Sequence, residues 1–431
     1  MTTTSAADAA PAIDEALLDP AGTDPDGLAR ALEPFGRSRM LPAAAYTSPD
    51  VLAWERRNLF AGTWTCVGRE TDLRAADDGA RVTRRAVAVG DVSVLLVWDD
   101  DAGSDGSDGS DRSDGDVVLR AFANTCRHRG HELMPADGSQ APLSDRPAIV
   151  CPYHAWSYDL SGKLRAAPGF REVEGFERSE HSLVGLPVQR WHGWVFVHAL
   201  QTLEQGPRVS FAEHVGELEK IVGPYAPEQL VLADRHSYEV AANWKVVVEN
   251  YHECYHCPLI HPELCQVSPP ASGDNYDLPG AWVGGSMDLR DGMTSMSLTG
   301  EAAGTPIPGV DPKLVLYVQL WPNLLISPHP DYVMVHRLVP ITPSRTWIEC
   351  SWYGVDPGDG TAPDVSAGVE FWDLTNKQDW TACESVQRGL ASPHFRPGPF
   401  APAEDAVHAF VSMVGRGYRG LPLTHLVESG R

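Results

Sequence analysis

Two kinds of hydrophobic pattern divide this chain. From about residue 64 to 200 the apolar positions come in short runs broken by turn residues. The clearest runs are Val82 to Val89, Val92 to Trp98, Val117 to Asn124, Ala148 to Cys151 and Trp194 to His198. Such runs, rich in β-branched and aromatic residues, predict strands, and Gly90-Asp91 between the first two predicts a tight turn. Ahead of this block, Val51, Trp54, Glu55, Asn58, Leu59 and Phe60 have near-helical spacing, so Tyr46 to Val67 is predicted as a helix entering a strand. Beyond about residue 205 the periods mix. Phe211 to Val222 and Asn243 to Cys257 predict helices, and Phe371 to Leu390 a long one. Leu230 to Ala241, Leu314 to Leu320, Leu324 to Ser327, Val333 to Pro340 and Thr346 to Tyr353 predict strands, the last four in one antiparallel sheet. The fold class is α+β: an all-β unit followed by a sheet with flanking helices.

The 431 residues are enough for two or three domains with their own cores. Residues 1–40 are rich in Ala, Asp and Pro and are expected to be poorly ordered at the start; 41–204 form the β unit and 205–431 the mixed unit. Composition is that of an ordinary globular protein, with 43% hydrophobic and 21% charged residues. No apolar run is long enough to span a bilayer, and Met1 to Asp8 lacks a basic start and an apolar signal core, so a cytoplasmic location is expected. A net charge of −24 argues against nucleic acid or an anionic membrane as partner. Part of that charge sits in residues 100–116, DDAGSDGSDGSDRSDGD, whose composition predicts a flexible insertion between two strands. The acidity would favour a cationic substrate or a basic redox partner, or would serve solubility alone.

The chemistry-bearing residues come in two groups. The first is Cys126-Arg127-His128 and Cys151-Pro152-Tyr153-His154. A structural zinc site usually pairs cysteine with cysteine and histidine with histidine. Here each loop offers one sulfur and one imidazole, which suits a [2Fe-2S] cluster with both thiolates on one iron and both imidazoles on the other, a Rieske centre. The flanking Gly130, Pro152, Trp156 and Tyr158 let backbone amides approach the sulfides and keep water away.

The second group is His256-Cys257-Pro258-Leu259-Ile260-His261. Two histidines five apart do not share a helix face, so Pro258 is expected to stop the helix just after His256 and let His261 swing back. Two converging imidazoles plus one carboxylate make the facial triad of non-haem iron oxygenases. Spacing leaves Asp373, Asp379 and Glu384 open as the third ligand, and a hydrogen-bonded pair of core histidines open as the alternative. Cys254 and Cys257 form a C-x-x-C, but with His256 between them on a helix they read as packing residues.

Four segments in order, CRHRG, CPYHAWSYDLSGKL, NWKVVVENYHECYHCPLIH and NKQDWTACESVQRGL, resemble the oxygenase (α) component of Rieske non-haem iron oxygenases of the ring-hydroxylating type, from about 45 to 390. The resemblance implies a Rieske β domain and a helix-grip-like catalytic domain. It implies Cys126, His128, Cys151 and His154 as ligands of the [2Fe-2S] cluster, and His256, His261 and Asp379 as ligands of a mononuclear Fe(II). It implies that Glu253 bridges to a cluster histidine of a neighbouring subunit as the electron path, in a homotrimer, and that Asn250 lies near the iron. Two features depart from the pattern: an extra polar loop from Ala136 to Pro147, and Ala155 where many members have glycine.

Neither a dinucleotide-binding G-x-G-x-x-G after a strand nor a plant-type ferredoxin cysteine run occurs, so a separate NAD(P)H-dependent reductase or ferredoxin is expected to supply electrons for reaction of O2 with a small-molecule substrate. ENYHECYHCPLIHP looks most like the branch that includes the glycine betaine, carnitine and choline monooxygenases. Hydroxylation or oxidative N-demethylation of a compound such as glycine betaine is therefore expected, with Tyr276, Trp282, Tyr317, Trp321 and Trp352 as candidates for an aromatic cage. The rivals are an aromatic or natural-product substrate, and a non-catalytic iron–sulfur electron carrier.

Overall fold

The structure is a computed structural model that describes residues 23–74, 82–100, 117–135 and 148–423. The acidic insertion beyond Asp100 and the loop from Ala136 to Pro147 fall outside the described residues. Three small antiparallel sheets build the first half. One pairs Val82–Val89, Val92–Asp99, Val118–Ala123 and Gly185–Leu186 in that order; a second pairs Ile149–Val150, Ser157–Tyr158 and Leu164–Ala166; a third orders Thr65–Arg69, Trp194–Val197 and Val188–Trp191. The second half is dominated by a seven-stranded antiparallel sheet. Its order runs Leu230–Val240, Arg345–Val355, Val333–Thr342, Leu324–Pro328, Leu314–Leu320, Trp282–Asp288 and Asp274–Asn275. The helices Trp244–Tyr251, Ser366–Leu390 and Asp405–Tyr418 pack against it.

The predicted strands appear with small shifts of their ends; helices differ more. Phe211 to Val222 is two helices, Phe211–Val215 and Leu218–Val222. Gly216 parts them at φ 53°, where an added Cβ would lie 2.2 Å from the Pro279 carbonyl oxygen, so only glycine fits there. The expected poor order of residues 1–40 does not extend to Pro25–Ala31, a helix capped by the Asp24 side chain, whose Leu28 and Ala31 reach the core. Nor does the division at 204/205 separate two independent cores. Tyr46, Val51, Leu52 and Leu59 pack in one cluster with Trp244, Val247, Leu390 and Phe410. Trp64, Trp194 and Phe196 pack with Val318, Leu324 and Val333.

One buried ion pair ties these layers together. Lys245 Nζ donates to Glu55 Oε1 at 2.6 Å, and both side chains are 0% exposed. Trp244 Nε1 donates to Glu55 Oε2 at 2.9 Å, and the Tyr418 hydroxyl donates to the same carboxylate. Glu55 thus joins its own helix Pro49–Glu55, the helix Trp244–Tyr251 and the C-terminal helix Asp405–Tyr418. Burial pulls the Lys245 ammonium below its ordinary pKa and the Glu55 charge opposes that pull. Removing one member of such a pair strands the other charge in a dry environment. Glu55→Ala should therefore lower unfolding free energy by about 3–5 kcal/mol, measured by urea unfolding; a loss below about 1 kcal/mol would remove this pair from its central place.

Candidate active site

The first ligand loop leaves strand Val118–Ala123 through Asn124, which is fully buried. Its Oδ1 accepts from the amides of Leu133 and Met134 at 3.1 and 3.0 Å, and its Nδ2 donates to Met134 O at 2.6 Å and to Ser93 Oγ at 2.9 Å. The loop is closed by Gly130, at φ 74°, whose amide donates to Cys126 O at 3.0 Å. The second loop is a matching turn, with the Ala155 amide donating to Cys151 O at 3.1 Å. Ala155 adopts φ 56°, a left-handed conformation that glycine would take without strain. In alanine it costs roughly 1–2 kcal/mol.

These turns bring the four cluster candidates together. Cys126 and Cys151 are buried and unbridged, and the His128 and His154 rings lie 4.7 Å apart. His128 stacks on Trp156 at 4.8 Å, and its buried Nδ1 has no hydrogen-bond partner. The Tyr158 hydroxyl lies 3.3 Å from Cys126 Sγ and accepts from the Arg127 amide at 3.1 Å. Burial raises the Cys151 thiol pKa, with the neighbouring Cys126 adding to the rise. A buried sulfur pair and an unpartnered imidazole nitrogen are a donor set that cationic iron would satisfy.

The second site is built at a break in the chain. The helix expected to run to Cys257 stops at Tyr251. The Glu253 side chain then turns back, its Oε2 accepting from the His256 amide at 3.0 Å, as a capping residue does. Pro258 does not end a helix. It lies in the first turn of the short helix Cys257–Ile260, and Pro262 does the same for Pro262–Val267, positions where the missing N–H costs nothing. His256 and His261 therefore sit at either end of one short helix. The same turn places the Cα atoms of Cys254 and Cys257 4.9 Å apart, and the two cysteines form a disulfide rather than the packing pair expected.

Of the three candidate carboxylates, one reaches the histidines. Asp379 Oδ1 lies 2.9 Å from His261 Nε2 and 3.4 Å from His256 Nε2, and the two Nε2 atoms are 3.1 Å apart. Asp373 instead accepts from Tyr238 and Lys377, and Glu384 accepts from the Ala241 amide. Each histidine has its other nitrogen committed. His256 Nδ1 donates to Glu253 Oε1 at 2.5 Å, and His261 Nδ1 donates to Gln378 Oε1 at 2.7 Å. The two Nε2 atoms then face each other beside a carboxylate, an arrangement that would ligate a cation placed between them. Burial alone would lower the His256 pKa, but Asp379 and Glu253 hold it up at about 9. Burial alone would raise Asp379, but the two imidazoles hold it below the ordinary carboxylate range. The donor set fits a divalent metal.

A cavity of about 350 Å³ opens beside this triad. Asn250, Glu253 and the three triad residues line it, together with Tyr251, Tyr317, Trp372 and Trp380. Of the five aromatic residues proposed for a cage, only Tyr317 is there. Tyr276 and Trp282 pack on the far cluster, Trp321 lies in the main core, and Trp352 is packed against His236. The Glu253 side chain is 13% exposed, a largely buried setting, although the neighbouring Tyr255 is 66% exposed.

Comparison with known proteins places these sites in a family. The Rieske [2Fe-2S] domain family matches residues 63–177, and the ring hydroxylating alpha subunit (catalytic domain) family matches residues 227–420. The carnitine monooxygenase oxygenase subunit of Acinetobacter pittii is 35% identical over 82% of this chain and 86% of its own. The chain belongs to the Rieske ring-hydroxylating oxygenases. It is an iron–sulfur, non-haem iron oxygenase subunit, with a Rieske [2Fe-2S] domain and a catalytic domain of the kind that binds mononuclear iron. As an oxygenase subunit it acts on a small molecule with electrons from a separate component. The glycine betaine monooxygenase oxygenase subunit of Chromohalobacter salexigens is 29% identical over 96% of this chain and 94% of its own. The fold matches a quaternary ammonium Rieske monooxygenase crystallised with L-carnitine, with a TM-score of 0.66, 24% identity and coverage of 91% of this chain and 98% of that one. Among the described residues, no helix is long and apolar enough to cross a membrane.

Gln378, Asn124, Trp372 and Trp380 had no assigned role in the sequence. Gln378 offers no spacing signal beyond adjacency to Asp379. It orients His261 and is itself held by Glu263, 3.3 Å away. Gln378→Leu should weaken iron binding by about 10–100-fold, measured by competition with a chelator on protein whose cluster spectrum is intact; unchanged affinity would leave Gln378 no part in the metal site.

Proposed function

We propose that this chain is the terminal oxygenase of a system that oxidises an N-methyl group of a small quaternary ammonium compound. Cys126, His128, Cys151 and His154 hold the cluster, and His256, His261 and Asp379 hold the iron. When bound, the cluster supplies single electrons and the iron supplies open coordination positions for dioxygen. The overall change is balanced by one dioxygen, two electrons and two protons. One N-methyl carbon leaves as formaldehyde, the second oxygen atom leaves as water, and the amine product keeps one proton or releases it.

The observation that carries this reading is the aromatic wall of the cavity. Tyr251, Tyr317, Trp372 and Trp380 line the cavity beside the triad, with the Tyr317 ring 6.1 Å from those of Tyr251 and Trp372. An ammonium over such faces gains about 0.5–2 kcal/mol per ring when desolvated. The relatives named for glycine betaine and carnitine agree with it. An arene could also stack on these rings, and is the second reading.

The chain's own residues supply positioning and the electron path. Glu253 has one oxygen on His256 Nδ1 and stands at a partly exposed edge of the site. Tyr255 and Leu259, 66% and 92% exposed, flank that edge, and exposed Tyr153 and Val150 flank the cluster loops. In a homotrimer the apolar rim of one copy's cluster would cover the rim around Glu253 of the next, and Glu253 would join the cluster histidine to His256. Asn250 lines the cavity close by and would orient the reacting groups.

Supplied with a surrogate reductase, the enzyme should release formaldehyde from trimethylammonium compounds. His256→Ala should abolish product and leave the cluster's visible spectrum unchanged. Glu253→Gln should lower turnover about 10–100-fold at unchanged iron content. Full coupled turnover in Glu253→Gln would exclude the path through this carboxylate, and arene oxidation without formaldehyde would favour the second reading.

A further inference from the structure

The cavity that carries the aromatic wall carries no cationic side chain. Among the described residues lining it there is no lysine and no arginine, while Glu253, Asp274 and Asp405 line it in addition to Asp379. The charges of a divalent iron are matched by Asp379 and Glu253, which leaves Asp274 and Asp405 in excess. Asp274 lies in the edge strand Asp274–Asn275, and Asp405 begins the helix Asp405–Tyr418. Both are exposed at the cavity's outer end, and Asn275 Nδ2 ties the two segments by donating to Asp405 Oδ1 at 2.7 Å. Glu404 stands nearby, held above the ordinary carboxylate range by burial, with the charge of Glu253 adding to the effect.

The histidines of the wall do not change this balance. Burial pushes His252 and His336 down to about 4, so both are neutral at pH 7. His252 is held by Gln319 at 3.2 Å. His336 is 3% exposed, lines the cavity, and has both ring nitrogens free of hydrogen bonds; Asn376 approaches it without reaching bonding geometry. The buried Tyr317 hydroxyl is likewise unpartnered. The cavity lining therefore holds neutral polar groups without a hydrogen-bond partner, aromatic side chains, and uncompensated negative charge. A substrate carboxylate placed here would be buried without a counter-charge, which is strongly unfavourable, and it would be repelled at the mouth. A hydroxyl would find partners in His336 or Tyr317.

We propose that the substrate is a net cationic ammonium compound that ends in a neutral hydroxyl group, of the choline type, and not a zwitterionic betaine. This rests on the ammonium reading of the cavity. His336 and Tyr317 take the hydroxyl end, the aromatic wall takes the trimethylammonium group, and Asp274 and Asp405 draw the cation in.

The test uses the full-length protein with cluster and iron in place. Binding by calorimetry and turnover with a surrogate reductase are measured for choline, glycine betaine, carnitine and the uncharged isostere 3,3-dimethylbutan-1-ol. Choline should be preferred over both carboxylates by at least about tenfold in Kd and in kcat/KM, and over the isostere by at least about tenfold in Kd. In Asp274→Asn/Asp405→Asn, two exposed positions, the ratio of choline to betaine should fall by about tenfold, mostly through KM. Preference for glycine betaine or carnitine, or a ratio unmoved in the double variant, overturns the charge argument and leaves the ammonium reading standing. Oxidation of an arene with no ammonium compound bound overturns both.

Discussion

The buried carboxylate of Glu55 is the point on which the layers of this molecule converge. It takes a charge from Lys245, an indole N–H from Trp244 and a hydroxyl from Tyr418, and no water reaches it. A charge pair of this kind gains little net stability over an apolar contact, because desolvation consumes most of its attraction. What it gains is position. Lys245 cannot shift without stranding its charge, so the helix Trp244–Tyr251 is held in one place against the helices Pro49–Glu55 and Asp405–Tyr418. The tight turn that carries Glu253 and His256 begins where that helix ends. A contact made by Glu55 thus fixes the origin of the turn that bears Glu253 and His256.

At the site itself the same economy of charge recurs with the sign reversed. Glu253 and Asp379 both lean on His256 and hold its pKa at about 9. Protein side chains alone leave a surplus of negative charge there, which a divalent metal would remove. The Glu253 carboxylate also caps the His256 amide, so one side chain sets both the backbone turn and the imidazole's orientation. That double duty explains why a carboxylate three residues before the histidine serves the site where an amide would serve less well: two oxygens accept from two donors on the same residue.

Much of this was legible in the residues, and the failures have physical causes. The cluster loops could be read because ligand type and spacing within a tight turn leave few geometries open. The sheet could be read because alternation along Leu230–Val240 and the long apolar strands survives any detail of packing. The break at Tyr251 could not, since helical periodicity continues through Cys257 and the chain is turned there by a side chain, Glu253, accepting from an amide. Asp373, Asp379 and Glu384 all lie on one helix, and only the placement of Tyr238, Lys377 and the Ala241 amide shows that two of them are already engaged. The aromatic wall was misassigned for a related reason. Tyr317 lies within the strand Leu314–Leu320 beside the cavity, whereas Trp321 lies just past that strand's end in the main core, a difference that hydrophobic spacing does not reveal.

Electron delivery sets the last constraint. The cluster loops end in exposed Tyr153, and the turn bearing Glu253 ends in exposed Tyr255 and Leu259. Exposed aromatic and aliphatic side chains beside a redox centre are unfavourable in water and are the composition of an interface core. In the proposed trimer each rim covers the other, which keeps water from the junction and strengthens the hydrogen bonds of Glu253. A carboxylate placed in that way would accept a hydrogen bond from an imidazole on either side. Assembly and electron transfer would then depend on the same few side chains, and a change that loosened the rim would reduce turnover without touching any metal ligand.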